Sequence, residues 1–285
     1  MNGGGASRSE RVGVYGGGRM GAGIAHSFLV VGAEVTIIEA SSEAVESARS
    51  RIIDSVAKAA ARGLLGSGTE EALARLSVST DPDDLAEASL VIEAVPEDHA
   101  IKRAVLATME RHAPKAALAT NTSSLSVSAL ASTLARPEQF IGLHFFNPVP
   151  SSDLVEIVVG ADTAATLVDR AVGWVAWLGK TAITVNDSPG FASSRLGVAL
   201  ALEAMRMVED SVASVEDIDT AMTLGYRHPA GPLRTTDIVG LDVRLAIAEH
   251  LEREVGERFA PPQILRDKVA AGDLGRKAGR GFYDW

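Results

Sequence analysis

A chain of 285 residues is longer than one domain ordinarily is, so one large unit plus a smaller one is expected. With 46% hydrophobic residues, 22% charged residues of both signs and a formal net charge of -10, the composition excludes a disordered or collagen-like chain. It also argues against a nucleic-acid partner, because phosphate-backbone affinity needs clustered Lys and Arg. The chain has no cysteine. Disulfides, thiolate nucleophiles and Cys-ligated zinc are therefore ruled out, no metal is called for, and redox chemistry has to come from a bound cofactor.

The first ten residues, MNGGGASRSE, are polar and Gly/Ser-rich and read as a frayed leader. No run is long enough to cross a bilayer, so a cytoplasmic protein without a membrane partner is expected. From Val12 to about Leu143, β-branched runs alternate with helical stretches: RVGVY, a helix to Gly32, EVTII, a long charged helical region, LVIEAV, a helix, ALAT and FIGLH. That alternation predicts parallel strands joined by crossover helices. The stretch from Ser42 to Leu76 is too long for one crossover and breaks at RGLLGSGTE, which predicts a helical hairpin projecting from the sheet.

Further strands are predicted at Leu154 to Val159 and Ala182 to Val185, with a helix over Thr166 to Leu178 between them. The cluster Asn186, Asp187, Ser188, Pro189, Gly190 then marks a domain junction, dividing the chain into 1–188 and 189–285. Beyond it the strand pattern stops. Helices are predicted over Leu196 to Val212, after a capping arrangement of Ser214 with Asp217, and over Thr236 to Val255. An all-helical unit with a spare apolar face commonly dimerises, so a homodimer through this unit is expected. The fold class is thus an α/β Rossmann-type N-terminal domain with a helical hairpin, plus an all-helical C-terminal domain.

Gly16-Gly17-Gly18-Arg19-Met20-Gly21 satisfies G-x-G-x-x-G, follows an apolar strand and opens a helix that ends at Gly32. In that context Gly16 permits a tight turn, Gly18 lets backbone approach a pyrophosphate, and Gly21 allows close packing of helix on strand. The free N–H groups and positive dipole end of the helix face the phosphates. Glu39, about 20 residues on at the end of EVTII, is placed to accept hydrogen bonds from the adenosine ribose and to repel a 2′-phosphate, which favours NAD over NADP. Arg19 can serve either cofactor's phosphates.

In FIGLHFFNPVPSSDLVEIVVG, His144 ends an apolar strand, Asn147 follows three residues later, and Glu156 sits on the next strand. A carboxylate that holds one ring nitrogen leaves the other to take a proton from a hydroxyl. A structural histidine in an apolar strand is the plain alternative.

These segments together resemble the L-3-hydroxyacyl-CoA dehydrogenases over nearly the whole chain. The resemblance rests on VGVYGGGRMGAGIA, VIEAVPED, NTSSLSV, GLHFFNPVP with LVEIV, SPGF, VEDIDTAM, GPLRTTDIVGLD and the ending GRKAGRGFYDW. It implies an NAD-dependent enzyme acting on short-chain 3-hydroxyacyl-CoA thioesters, with His144 as general base and Glu156 as its orienting partner. It also implies that Ser123 and Asn147 lie near the reacting end of the substrate, that Glu97 and Lys102 approach the cofactor, and that Ser55, Lys58 and Arg62 on the helical hairpin meet coenzyme A. The plain alternatives are a turn cap for Ser123, loop support for Asn147, a helix-surface pair for Glu97 and Lys102, and a solvated helix face for the last three.

The chain departs from the family pattern at Ser194, where Asn is common, and at Ala230, where relatives carry a larger apolar residue. Both departures keep a second substrate class open, a hydroxyacyl group on a carrier protein or a free hydroxy acid. A non-catalytic dinucleotide-binding protein is the reading from another class.

Overall fold

The computed structural model describes residues 10–66 and 68–285 and divides into two compact units, 1–187 and 188–285. The expected N-terminal leader lies, except for Glu10, outside the described residues.

The first unit is built on one eight-stranded sheet: β1 (Arg11–Tyr15), β2 (Glu34–Ile38), β3 (Leu76–Ser79), β4 (Leu90–Glu93), β5 (Ala117–Thr120), β6 (Phe140–Phe145), β7 (Leu154–Val159) and β8 (Thr181–Asn186). Their order across the sheet is β3-β2-β1-β4-β5-β6-β7-β8. Every neighbouring pair is parallel except β6 with β7, where the chain reverses. The central strands β4 and β5 are buried along their whole length, which is why LVIE and ALAT lack the alternation of a half-exposed strand. Because β2 and β4 flank β1, strand order switches direction at β1, and the crevice at the carboxyl ends of β1 and β4 is where such sheets bind ligands.

Helix α1 (Arg19–Val30) starts at Gly18 and is buried from Gly21 to Leu29, so its Gly- and Ala-rich face suits close approach to the sheet. Gly32, with φ +97, then turns the chain into β2. Helix α2 (Ser42–Ala61) is capped by the Ser41 hydroxyl, which accepts from Ala44 N–H, and it buries Ala48, Ile52 and Val56 in the core that also holds α1. After the turn at 62–66, the second limb of the hairpin is only α3 (Thr69–Ala74). The chain then enters β3, a four-residue edge strand that the helical reading of Ser42 to Leu76 did not anticipate; only its Val78 is buried. The remaining helices of this unit are α4 (His99–His112), α5 (Val127–Ala131) and α6 (Ala165–Trp177).

The second unit comprises α7 (Ser193–Glu209), α8 (Val215–Thr220), α9 (Pro232–Val239), α10 (Leu241–Val255) and α11 (Gln263–Ala270) around a core that includes Val198, Leu202, Leu233 and Leu251. Ser214 caps α8 as expected, its hydroxyl accepting from Asp217 N–H at 3.0 Å. The single helix expected over Thr236 to Val255 is instead two, broken where Gly240 adopts φ +108. Past α11 the chain forms only a short 3-10 turn at Arg276–Ala278, and isolated bridges pair Gly275 with Arg280 and Arg280 with Asp284. Buried Asp237 holds this tail by accepting from the backbone of Phe282 and Tyr283 and from Trp285 Nε1.

Where the sheet reverses, Gly142 lies opposite Val158, two residues before His144, and a Cβ there would stand 2.7 Å from Val158 Cβ and 3.0 Å from Val127 Cγ2. Gly142→Ala is therefore expected to force β7 away from β6 and destabilise the protein by about 1–3 kcal/mol. Urea unfolding monitored by circular dichroism measures this, and an unchanged midpoint would contradict the tight packing.

Candidate active site

Five of the parallel strands deliver polar residues to one end of the sheet. The glycine loop follows β1, Glu39 follows β2, Glu93 and Glu97 end and follow β4, Asn121 to Ser124 follow β5, and His144 lies in the last turn of β6. β7 then runs back antiparallel from that end, with Glu156 directly opposite His144 in register. Residues opposite each other on antiparallel strands share a face, with Cβ atoms about 4.5–5.5 Å apart. The pair meets accordingly: His144 Nδ1 lies 2.7 Å from Glu156 Oε2, with Glu156 fully buried and His144 nearly so. Phe146 packs at 4.5 Å from the imidazole, centroid to centroid, and Phe145 N–H donates to Asn121 Oδ1 at 2.9 Å, tying the end of β6 to the loop after β5.

A carboxylate at Nδ1 makes that nitrogen the N–H donor, so that in the neutral ring Nε2 is the nitrogen with acceptor character. His144 lines a cleft of about 370 Å³ together with Met20, Glu97, Asn121, Ser123 and Asn147. Ser123 and Asn147 are thus brought to the histidine. Asn147 also borders a second cleft with Arg19, Arg51 and Ser55, and Ser55, Pro148 and Pro150 pass from that cleft into a third of about 480 Å³. Lys58, Arg62 and Lys180 line this last cleft, with no acidic residue on its walls. One groove therefore runs from the imidazole to a cationic end. Ser194 stands in the first turn of α7, in the second unit.

The glycine loop is built as the motif requires. Gly16 has φ +95, and a Cβ on Gly21 would stand 1.8 Å from the Gly16 carbonyl oxygen, so neither position admits a side chain without rearrangement. A Cβ on Gly18 would meet nothing within 4 Å, and no side chain caps the start of α1. Open space against uncapped N–H groups is what a pyrophosphate needs, so the loop fits a dinucleotide. Glu39 Oε1 accepts from Gly17 N–H at 2.7 Å, fastening the loop and leaving the carboxylate capacity for a ribose hydroxyl.

Glu97 and Lys102 do not form a helix-surface pair. Lys102 is 1% exposed, and its Nζ lies 2.7 Å from Glu93 Oε1 and 3.2 Å from Glu97 Oε2. Thr120 Oγ1 donates to the other Glu93 oxygen at 2.6 Å. Glu97 Oε1 accepts from Thr122 Oγ1 and from the backbone N–H groups of Ser123 and Ser124. Burial alone would raise the Glu97 carboxyl, but the Lys102 charge and these donors outweigh it and hold the group below its ordinary range. Glu97 is thereby the post around which the Ser123 loop is wound.

Four contributors escaped the sequence reading. Glu93 gave a faint signal, a carboxylate closing an otherwise apolar central strand. Arg51 reaches the Gly17 carbonyl from α2 at 3.4 Å. Lys180 donates to the carbonyls of Val149 and Ser152, holding the segment between β6 and β7. His26, 5% exposed on α1, has a buried Nδ1 with no hydrogen-bond partner and lines the cationic cleft; burial and then the Lys180 charge lower its pKa, which favours the neutral ring.

Comparison with known proteins converges on one family. The family model described as the 3-hydroxyacyl-CoA dehydrogenase NAD binding domain matches residues 11–188, and that for the 3-hydroxyacyl-CoA dehydrogenase C-terminal domain matches residues 190–285. The chain is 42% identical to a 3-hydroxybutyryl-CoA dehydrogenase of Mycobacterium tuberculosis over 97% of this chain and 98% of that protein. It is 38% identical to a 3-hydroxybutyryl-CoA dehydrogenase of Bradyrhizobium diazoefficiens over 97% of this chain and 95% of that protein. The crystal structure of an (S)-3-hydroxybutyryl-CoA dehydrogenase from Ralstonia eutropha superposes with a TM-score of 0.92 at 39% identity, covering 97% of this chain and 99% of that one. With both family domains present end to end and relatives matched over nearly their full length, the chain belongs to the 3-hydroxyacyl-CoA dehydrogenase family and carries its NAD-binding domain.

Proposed function

We propose that this protein interconverts (S)-3-hydroxyacyl-CoA and 3-ketoacyl-CoA with NAD(H), acting on short acyl chains such as 3-hydroxybutyryl. The observation that carries the reading is the buried His144–Glu156 pair at the head of a groove that ends in Lys58 and Arg62. NAD, when bound, supplies the nicotinamide that takes up or returns the hydride. The loop from Gly16 to Gly21 and the start of α1 would hold its pyrophosphate, and Glu39 its adenosine ribose.

In the oxidative direction His144 Nε2 removes the proton of the C3 hydroxyl, and Glu156 stabilises the imidazolium that results. In reduction the same imidazolium returns the proton. Ser123 and Asn147 lie on the same cleft and serve as hydrogen-bond donors to the substrate oxygens. Glu97 and Lys102 act on the nicotinamide side through the Ser123 loop that Glu97 holds. The cations at the far end of the groove, with the Ser55 hydroxyl, take the phosphates of coenzyme A. Ser194, where the family commonly has Asn, would offer the substrate a hydroxyl in place of that amide. The second unit exposes Leu224 at 79% and Tyr226 at 75%, which supports a homodimer through it. The enzyme is taken to be cytoplasmic; its net charge of -10 speaks against a nucleic-acid partner, and among the described residues no helix is long and apolar enough to cross a membrane.

His144→Gln is expected to lower kcat for acetoacetyl-CoA reduction by about 10²–10⁴-fold with NADH affinity unchanged. Stopped-flow assay and NADH titration measure the two separately, and near-normal turnover would remove His144 as the base. Glu39→Ala is expected to weaken NADH binding and narrow the preference over NADPH; equal use of both cofactors by the unaltered protein would overturn the assignment of Glu39. Lys58→Ala with Arg62→Ala is expected to raise KM for acetoacetyl-CoA while sparing kcat, by a factor that shrinks as salt is added. Running acetoacetyl-CoA beside carrier-bound and free acetoacetate decides the substrate class, and failure on every CoA thioester would refute the proposal.

A further inference from the structure

The second unit buries a cation that is paired with no carboxylate among the described residues. Arg244, in the first turn of α10, is 8% exposed, and its Nε is buried without a hydrogen-bond partner. Among the described residues it forms no ion pair. Burial lowers its pKa, yet a guanidinium stays protonated across the physiological range. A buried and uncompensated charge is among the costliest arrangements a fold can retain, so one that persists points to a ligand that completes it.

Arg244 lines an open cleft of about 280 Å³ whose lining residues belong to the second unit. Gly197 opens the wall next to it: a Cβ there would stand 3.4 Å from Arg244 NH1, so any larger side chain would fill the space the guanidinium faces. The other walls are mainly apolar, with Leu196 and Leu200 of α7, Ala230 and Pro232, and no acidic residue lines the pocket. A planar, two-toothed cation in a small cleft whose walls are mainly apolar apart from His228 and Thr235 matches a planar anion carried on a short hydrocarbon. Phosphate and sulfate would gain nothing from the apolar walls.

We propose that this pocket is a binding site for the carboxylate of a short aliphatic acid, held by the Arg244 guanidinium. Two sources share that chemistry: a free short-chain acid, and the distal carboxylate of a dicarboxylic acyl substrate. The second source rests on the proposed dehydrogenase function.

Isothermal titration of the whole protein with butyrate and with glutarate tests the site without turnover. Binding with Kd on the order of millimolar is expected for the unaltered protein. Both Arg244→Leu, which removes the charge, and Gly197→Leu, which keeps the charge and fills the cleft, are expected to weaken it about tenfold or more. No binding by the unaltered protein, binding that survives both variants, or dissociation of an oligomer by Arg244→Leu without any carboxylate binding would overturn the proposal. Kinetics then separate the sources. If KM rises about tenfold in both variants for a 3-ketoacyl-CoA ending in carboxylate, but not for acetoacetyl-CoA, the ligand is the substrate's own distal carboxylate. If titration responds and neither KM does, it is a free acid. Should no acyl-CoA be turned over at all, the dehydrogenase reading fails while the titration still reports on the pocket.

Discussion

The chemistry of this fold depends on one cross-strand contact, in which a fully buried carboxylate on β7 grips the Nδ1 of an imidazole on β6. A lone carboxylate in that position would be strongly disfavoured, because an ion removed from water needs a partner that replaces its hydration. His144 is that partner, and it is delivered by strand register rather than by a flexible loop, so ring orientation and donor nitrogen are set together. The single antiparallel step in an otherwise parallel run of neighbours makes this possible. Had β7 joined the sheet in parallel through a crossover, Glu156 could not sit opposite a residue only twelve positions earlier.

Around this pair, a second buried charge cluster organises the loops that face it. Glu93 and Glu97 share Lys102, and the Glu97 oxygen not used by the lysine, Oε1, collects the hydroxyl and backbone donors of Thr122, Ser123 and Ser124. Two carboxylates around one ammonium would repel each other without those donors. With them, the segment after β5 is wound into one conformation, and Ser123 is presented to the cleft that holds His144. The close packing of α1 contributes from the other side: a Cβ on Gly23 would stand 2.9 Å from Val149 Cβ, so the helix that opens the dinucleotide loop lies directly against the segment that follows Asn147.

Much of this was readable from residues alone, because it rests on local rules. The glycine loop, its strand and its helix are contiguous, and Gly16 and Gly21 answer to steric demands that the structure displays. His144 and Glu156 were also readable as candidates, but their contact required knowing that the chain reverses through a proline-bearing segment, which no periodicity encodes. The edge strand β3 was hidden because LSVS is short and follows a helix with no turn signal, its pairing with β2 being a tertiary matter. Gly240 breaks a helix whose apolar spacing runs straight through the break, since the cause is a backbone angle and not a change of pattern. Lys102 was readable only as a residue near the cofactor or as half of a helix-surface pair, and the convergence of Glu93, at the end of β4, with Glu97, just after it, accounts for its burial.

The account stands or falls on the hydrogen-bonding state of one ring. In protein labelled with ¹⁵N-histidine, long-range ¹H–¹⁵N correlation spectra at a pH where the imidazole is neutral report which nitrogen bears the proton. The His144 signal is expected to show a protonated Nδ1, shifted downfield by its bond to Glu156, and an unprotonated Nε2, with the Nδ1 proton losing that shift in Glu156→Gln. A proton on Nε2, or an Nδ1 resonance indifferent to the loss of the carboxylate, would contradict the arrangement from which the mechanism is derived.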